Sequence, residues 1–237
     1  MYGTTFPGDP GGHSPDSHAP SSSGSTEGGY QKKPWDGQKK PWTGGGGDKA
    51  PFKRPVETDM TLYKPYAVTA NRDCPPEIQA KFIHWVQKLE GLGYTLRTGG
   101  MDGIEDDVEK VVTKKEVILP FRDFAEKKSK FTYVSDRALA VAKQFFPSFD
   151  TIKKGAQLFL AKNARVVMGN TMAAPSLFLL CWTEDGCESI RHRTNRTGFT
   201  GHPIAIASAV GLPIFNLGSS SAEQRLQMYL DSVAIPA

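Results

Sequence analysis

The sequence predicts an α/β protein, with an open, mostly parallel sheet carrying helices on both faces and a disordered N-terminal arm ahead of it. Three observations predict this class. From Tyr66 onward, short apolar runs alternate with amphipathic helical stretches, and strands separated by helices require parallel crossovers. Leu177-Phe178-Leu179-Leu180-Cys181 is an unbroken apolar run, the pattern of a strand covered on both faces. Residues 1–55, in contrast, are crowded with Gly, Pro, Ser and single charges and are almost without aliphatic side chains, so they cannot bury enough apolar surface to offset chain entropy. The 237 residues therefore divide into an arm over 1–55 and one domain over 60–237. About 175 folded residues are ample for a single core.

The elements follow in order. Tyr66-Ala67-Val68-Thr69-Ala70 is the first strand, and Pro75-Pro76-Glu77 opens a helix whose Ile78, Phe82, Ile83, Val86 and Leu89 recur at helical spacing before Gly91 and Gly93 end it. Tyr94–Arg97 is the second strand and runs into the turn Thr98-Gly99-Gly100-Met101-Asp102-Gly103, with a helix beginning near Ile104. Val117–Pro120 is the third strand. Helices are expected over Ser135–Phe145, with Ser135 as its cap, and over Phe149–Lys162. A buried strand over Ser176–Trp182, a small-residue helix over Ile204–Val210, a last strand over Leu212–Leu217 and a helix over Ala222–Ser232 complete the domain.

Composition excludes several function classes. The first twenty residues have neither a basic start nor an apolar run, and no later run is long and uncharged enough to cross a bilayer, so a cytoplasmic, membrane-free protein is expected. Cys74, Cys181 and Cys187 are odd in number and lack metal-site spacing, which reads as three plain thiols. The formal net charge is only +4, but it is unevenly placed. Between Tyr30 and Pro55, seven basic residues face two acidic ones, and Arg191-His192-Arg193-Thr194-Asn195-Arg196 forms a second basic knot without an acid.

The arm also repeats itself: Gln-Lys-Lys-Pro-Trp-Asp-Gly over 31–37 is followed at once by Gln-Lys-Lys-Pro-Trp-Thr-Gly over 38–44. Paired lysines beside a proline-stiffened tryptophan combine the two groups that a single nucleic-acid strand engages, a cation for phosphate and an aromatic face for a base. Lys32, Lys33, Lys39 and Lys40 are candidates for the backbone, and Trp35 and Trp42 for stacking. Repeats of this kind also dock on partner proteins or space two domains.

In an open parallel sheet, ligands collect outside the carboxyl ends of the strands. Two glycine-bearing turns fall there, one with Gly99, Gly100 and Gly103 and one with Gly198, Thr200 and Gly201, and bare amides at a helix start attract anions. Neither turn matches the Gly-Lys-Ser/Thr phosphate loop or the dinucleotide fingerprint, so no nucleotide cofactor is expected. Arg191, Arg193 and Arg196 lie at the same edge. His202 has no carboxylate or nucleophile partner visible in sequence and reads as a structural, backbone-contacting histidine. Trp85, among apolar helical neighbours, reads as core, and Trp182 as core or pocket wall.

Gly93–Gly103, Val117–Phe121, Ala161–Gly169, Pro175-Ser176 with Leu180–Gly186, and Leu212–Leu217 together resemble the serial motifs of the SLOG superfamily, the Rossmann-like domains of the DNA-processing protein DprA and the Lonely Guy phosphoribohydrolases. The resemblance spans nearly all of 66–217 and implies a Rossmann-like, DprA-like fold. The core joined to a basic, tryptophan-bearing arm resembles phage-encoded single-stranded-DNA-binding cofactors of the Drc type. That likeness implies a DNA-binding protein without catalytic turnover that acts with a phage RNA polymerase in the host cytoplasm. Cooperative strand coverage would suit self-association into a homo-oligomer. The rival expectation is an enzyme or sensor for a nucleotide-derived ligand, with Asp102 and Glu105 as candidate carboxylates. A virion or scaffold protein is the third.

Overall fold

The computed structural model describes residues 63–233. Five strands, β1 (Lys64–Ala70), β2 (Tyr94–Thr98), β3 (Lys115–Val117), β4 (Leu179–Trp182) and β5 (Ile214–Asn216), form one sheet in the order β3-β2-β1-β4-β5. Every pairing is parallel. The helices are α1 (Pro76–Gly91), α2 (Ile104–Val111), α3 (Asp136–Gln144), α4 (Lys154–Met168), α5 (Gly201–Ala209) and α6 (Ala222–Val233). The chain winds outward from β1 through β2 to β3, returns past β1, and winds outward again through β4 to β5. This is a Rossmann-like α/β arrangement whose strand order reverses between β1 and β4.

Alternation along the central strands supplies both faces of the core. Tyr66 and Val68 of β1, with Phe178 and Leu180, pack beneath Phe82, Trp85, Val86 and Leu89 of α1 and Leu226 and Leu230 of α6. Ala67, Leu179 and Cys181 point the other way, toward Ala138 and Ala142 of α3, Leu160, Ala164 and Val167 of α4, and Ile204 and Ile206 of α5. Strands with apolar residues at every position therefore need helices on both sides. Trp85 is core, as its helical neighbours predict, and its indole N–H donates to Glu223 Oε1 at 3.0 Å, tying α1 to α6. Trp182 is buried in the same layer, and all three cysteines are buried free thiols.

Two strands are shorter than expected, β4 beginning at Leu179 and not Ser176 and β5 covering only Ile214–Asn216 of Leu212–Leu217, and three further boundaries differ for a local reason. The third strand pairs over Lys115–Val117, earlier than Val117–Pro120, because the Leu119 amide turns away to the Phe131 carbonyl at 3.0 Å. The expected helix over Phe149–Lys162 is a 3-10 turn at Phe149–Thr151, an extended step through Ile152 and Lys153, and then α4, which continues to Met168. Its final turns include Lys162, Asn163 and Arg165, which break the apolar period and yet are buried. Helix α5 begins at Gly201 and not at Ile204, with Pro203 in its first turn, where a missing N–H costs nothing. Ser135 caps α3 as expected, its Oγ accepting from the Ala138 amide at 3.3 Å. Among the described residues, no helix is long and apolar enough to cross a membrane.

Candidate functional site

The carboxyl ends of β1, β2 and β4 bring three segments together, and Asn71, the residue directly after β1, joins two of them. Its amide nitrogen Nδ2 donates to the Thr197 carbonyl at 3.3 Å, and its Oδ1 accepts from Thr200 Oγ1 at 2.7 Å. Gly198 closes over this side chain with φ +60, and a Cβ there would stand 3.2 Å from Asn71 Oδ1, so both conformation and space require glycine. On the other side, the position of a Cβ on Gly103 lies 3.9 Å from the Arg72 carbonyl. Both sequence-predicted glycine turns thus flank the loop after β1, at the point where the strand order reverses.

A second brace holds the basic segment after β4. Thr194 Oγ1 and Thr197 Oγ1 each donate to Asp185 Oδ2 at 2.5 Å, the Cys187 amide donates to Asp185 Oδ1 at 3.3 Å, and Thr194 and Thr197 form a capping box around the 3-10 turn Asn195–Thr200. Burial alone would raise the Asp185 carboxyl, but these donors outweigh it and bring the group down to about 2. Arg191, Arg193 and Arg196 project exposed from this braced segment. Arg196 pairs with Glu184 at 2.6 Å, both side chains being largely solvated. Arg191 and Arg193 have no ion pair among the described residues. A Cβ on Gly201 would stand 3.3 Å from Arg193 Nε, so glycine admits this arginine against the start of α5.

The glycine turns themselves are filled by the protein's own groups. Glu105, in the first turn of α2, accepts the Gly99 amide at 2.8 Å and the Met101 amide at 3.2 Å through Oε2. The Gly201 amide donates to the carbonyls of Gly198 and Phe199. Of the amides expected to receive an anion, those of Gly99 and Gly201 are therefore already donated. Beneath Gly99 lies a buried charge cluster that sequence reasoning missed. Burial pulls the Lys162 ammonium below its ordinary range, opposed by Glu105 and Glu109. Burial likewise raises Glu109, opposed by its contacts with Lys127 at 2.7 Å and Thr98 at 2.5 Å. Asp102 is exposed.

His202 behaves as the sequence predicted, with Nε2 donating to the Ala142 carbonyl at 3.1 Å. Its Nδ1 is buried and has no partner among the described residues. His202 lines a pocket of about 210 Å³ with Phe146, Leu160, Arg193, Gly198 and Phe199. A larger, open concavity of about 360 Å³ lies on the loop after β3, lined by Arg122, Asp123, Lys128, Ser129, Lys130 and Thr132. The excess of four bases over two acids in 122–130 was a signal available in the sequence. Lys32, Lys33, Trp35, Lys39, Lys40 and Trp42 lie outside the described residues. No protein-family model, curated protein or solved structure matches the chain.

Burial of His202 has a measurable pH signature. Burial moves its imidazole from 6.5 down to about 4, so between those values the unfolded chain binds the extra proton and the native state does not. Stability should fall by roughly 3 kcal/mol as pH drops from about 6.5 to about 4, and level off below that. Asp185 acts in the lower window, between 3.8 and about 2. Denaturation midpoints measured across this range should lose the upper step in His202→Gln. A step that survives the substitution assigns it to another group.

Proposed function

We propose that this protein binds single-stranded DNA without reading base sequence and without catalytic turnover. The observation that carries the reading is the pair of exposed, unpaired arginines, Arg191 and Arg193, on a segment held rigid by Asp185 and Asn71 at the sheet's carboxyl edge, with Phe199 half-exposed at 51% beside them. Cations next to an accessible aromatic ring suit a phosphate backbone with unstacked bases. The basic repeat of residues 31–44 adds lysines and tryptophans of the same chemistry. The resemblance to the Drc type makes a phage RNA polymerase the protein partner to test.

A nucleotide-derived small ligand fits less well. The pocket at this edge, about 210 Å³, is below the range of about 300 to 1,000 Å³ usual for small-molecule sites. Of the two candidate carboxylates for that reading, Asp102 is exposed and Glu105 is occupied with the Gly99 and Met101 amides.

A fluorescent oligo(dT) titrated across salt tests the proposal. The double variant Arg191→Ala/Arg193→Ala should reduce the log–log salt slope by about 1.4, and at low-to-moderate salt weaken binding roughly twentyfold, the counterion-release value for two contacts on a single strand. Unaltered affinity and slope in a folded variant, or a wild-type protein that ignores oligo(dT) and captures a mononucleotide, overturns it.

A further inference from the structure

The loop after β3 carries cations that the fold does not use. Four bases lie in 122–130, and one of them, Lys127, turns inward to Glu109 at 2.7 Å and Asp106 at 2.9 Å. Arg122, Lys128 and Lys130 stay exposed, line the open concavity of about 360 Å³, and make no ion pair among the described residues. Asp123 is the one acid lining it and is likewise without an ion pair there, so three bases stand against one acid. Tyr133, the neighbour of the lining residue Thr132, is 80% exposed. Free cations beside an accessible ring suit a phosphate backbone whose bases are unstacked.

The loop is tied at its base and strained at its tip. Ser129 Oγ donates to the Val117 carbonyl and accepts the Phe131 amide at 3.0 Å, and the Leu119 amide donates to the Phe131 carbonyl at 3.0 Å. Between these ties, Asp123, Ala125 and Glu126 have φ of 59°, 51° and 59°. Left-handed backbone at non-glycine residues is costly, persists only where the surroundings hold it, and concentrates at binding sites. A backbone held in this way leaves only side chains to be ordered when a ligand binds.

Its place in the sheet says which ligand. Because every strand pairing is parallel, the loop after β3 and the arginine segment after β4 rise from the same edge. Three strand spacings of about 4.8 Å separate them, about 14 Å in all, more than the screening length of about 8 Å at physiological salt. Between them, the loops after β1 and β2 expose Arg72 beside two acids, Asp73 and Asp102. The edge thus holds two separate cationic patches and not one stripe, an arrangement that a long, flexible polyanion engages at both ends and a short one does not.

We propose that the loop 120–132 is a second phosphate-binding surface for the same single strand, with Arg122, Lys128 and Lys130 on its phosphates and Tyr133 stacked on a base, so that one strand bridges the loops after β3 and β4. The inference rests on the single-strand reading above and deepens it. Strand length, more than base identity, then sets affinity.

The test titrates the full-length protein with oligo(dT) of about four and of about twenty nucleotides across salt. The triple variant Arg122→Ala/Lys128→Ala/Lys130→Ala, changed only at exposed positions, should lower the log–log salt slope for the longer oligomer by about 2 and weaken it roughly hundredfold at about 0.1 M salt, the counterion-release value for three contacts on a single strand. The shorter oligomer should lose much less, since the Arg191 and Arg193 patch remains open to it. Tyr133→Ala should weaken the longer oligomer about fivefold or more with the slope unchanged, the value of one stacked base. In the wild-type protein, amide exchange across 118–131 should slow on adding the longer oligomer, a readout that needs no variant. Wild-type affinity and slope in the folded triple variant, with loop exchange unmoved by the longer oligomer, overturn the assignment. In that outcome a persistent effect of Arg191→Ala/Arg193→Ala leaves the single-strand reading standing. Slowing of loop exchange by an acidic peptide and not by oligo(dT) likewise overturns it, in favour of a protein partner. Failure of both oligomers to bind removes the assignment together with the single-strand reading.

Discussion

Replacing Glu105 with alanine is expected to destabilise the protein by about 3 kcal/mol or more, since the buried Lys162 ammonium loses one of the carboxylates whose charge offsets its burial. Lys162 is 1% exposed, and Glu105 and Glu109 are the carboxylates that offset its burial. Glu109 is already shared with Thr98 and Lys127, so it cannot replace the lost charge. The same substitution leaves the Gly99 and Met101 amides without their acceptor, and a buried unpaired donor adds about 1–3 kcal/mol. The loss should be smaller at alkaline pH, because a lysine that burial has already pulled downward can shed its proton instead of remaining as an unpaired ion. Denaturant midpoints at constant m-value provide the measurement. The double variant Glu105→Ala/Lys162→Met should recover much of the loss, since it removes the ion along with its partner. A single variant within about 1 kcal/mol of wild type would mean that the cluster contributes nothing net.

That cluster also shows where the sequence became illegible. The first four elements were readable to within about two residues, because their signals are local: alternation in Tyr66–Ala70, helical spacing from Ile78 to Leu89, and glycine at both ends of the second strand. Helix α4 was misplaced because Lys162 and Arg165 look like solvent-facing residues that end an amphipathic stripe. They are buried only because distant groups meet them, Glu105 and Glu109 for one and the Leu119 and Phe131 carbonyls for the other. The site divides in the same way. The order of elements places Arg191, Arg193 and Arg196 at the carboxyl edge, and two glycine turns beside them, without any tertiary knowledge. That Asn71 would reach across to Thr200, 129 positions away, leaves no trace in spacing. Glu105 is the instructive exception. It follows Gly99 by six positions, so a carboxylate in the first turn of a helix after a glycine turn could have been read as the anion that fills that turn.

Arg165→Ala should lower stability by about 3 kcal/mol or more, the sum of a large core truncation and stranded acceptors, and it should act first on one loop. Arg165 is fully buried without a carboxylate, and its guanidinium donates to the carbonyls of Leu119 at 3.0 Å and Phe131 at 3.1 Å and to Asn170 Oδ1. Those carbonyls bracket the segment that carries Arg122, Lys128 and Lys130, and within it Asp123, Ala125 and Glu126 have φ of 59°, 51° and 59°. Left-handed backbone at non-glycine residues costs about 1–3 kcal/mol each and persists only where the surroundings over-determine it. With the anchor gone, that stored strain favours release, so amide exchange should accelerate across 118–131 before it does in β1 or α1. Lysine at 165 cannot span two carbonyls with one ammonium, and methionine fills the volume without donating. Both variants should therefore fall between wild type and alanine, with methionine the closer to wild type because it brings no unpaired ion into the core. Uniform exchange in Arg165→Ala, with the loop no faster than the sheet, would show that the segment is held by its own hydrogen bonds and not by this arginine.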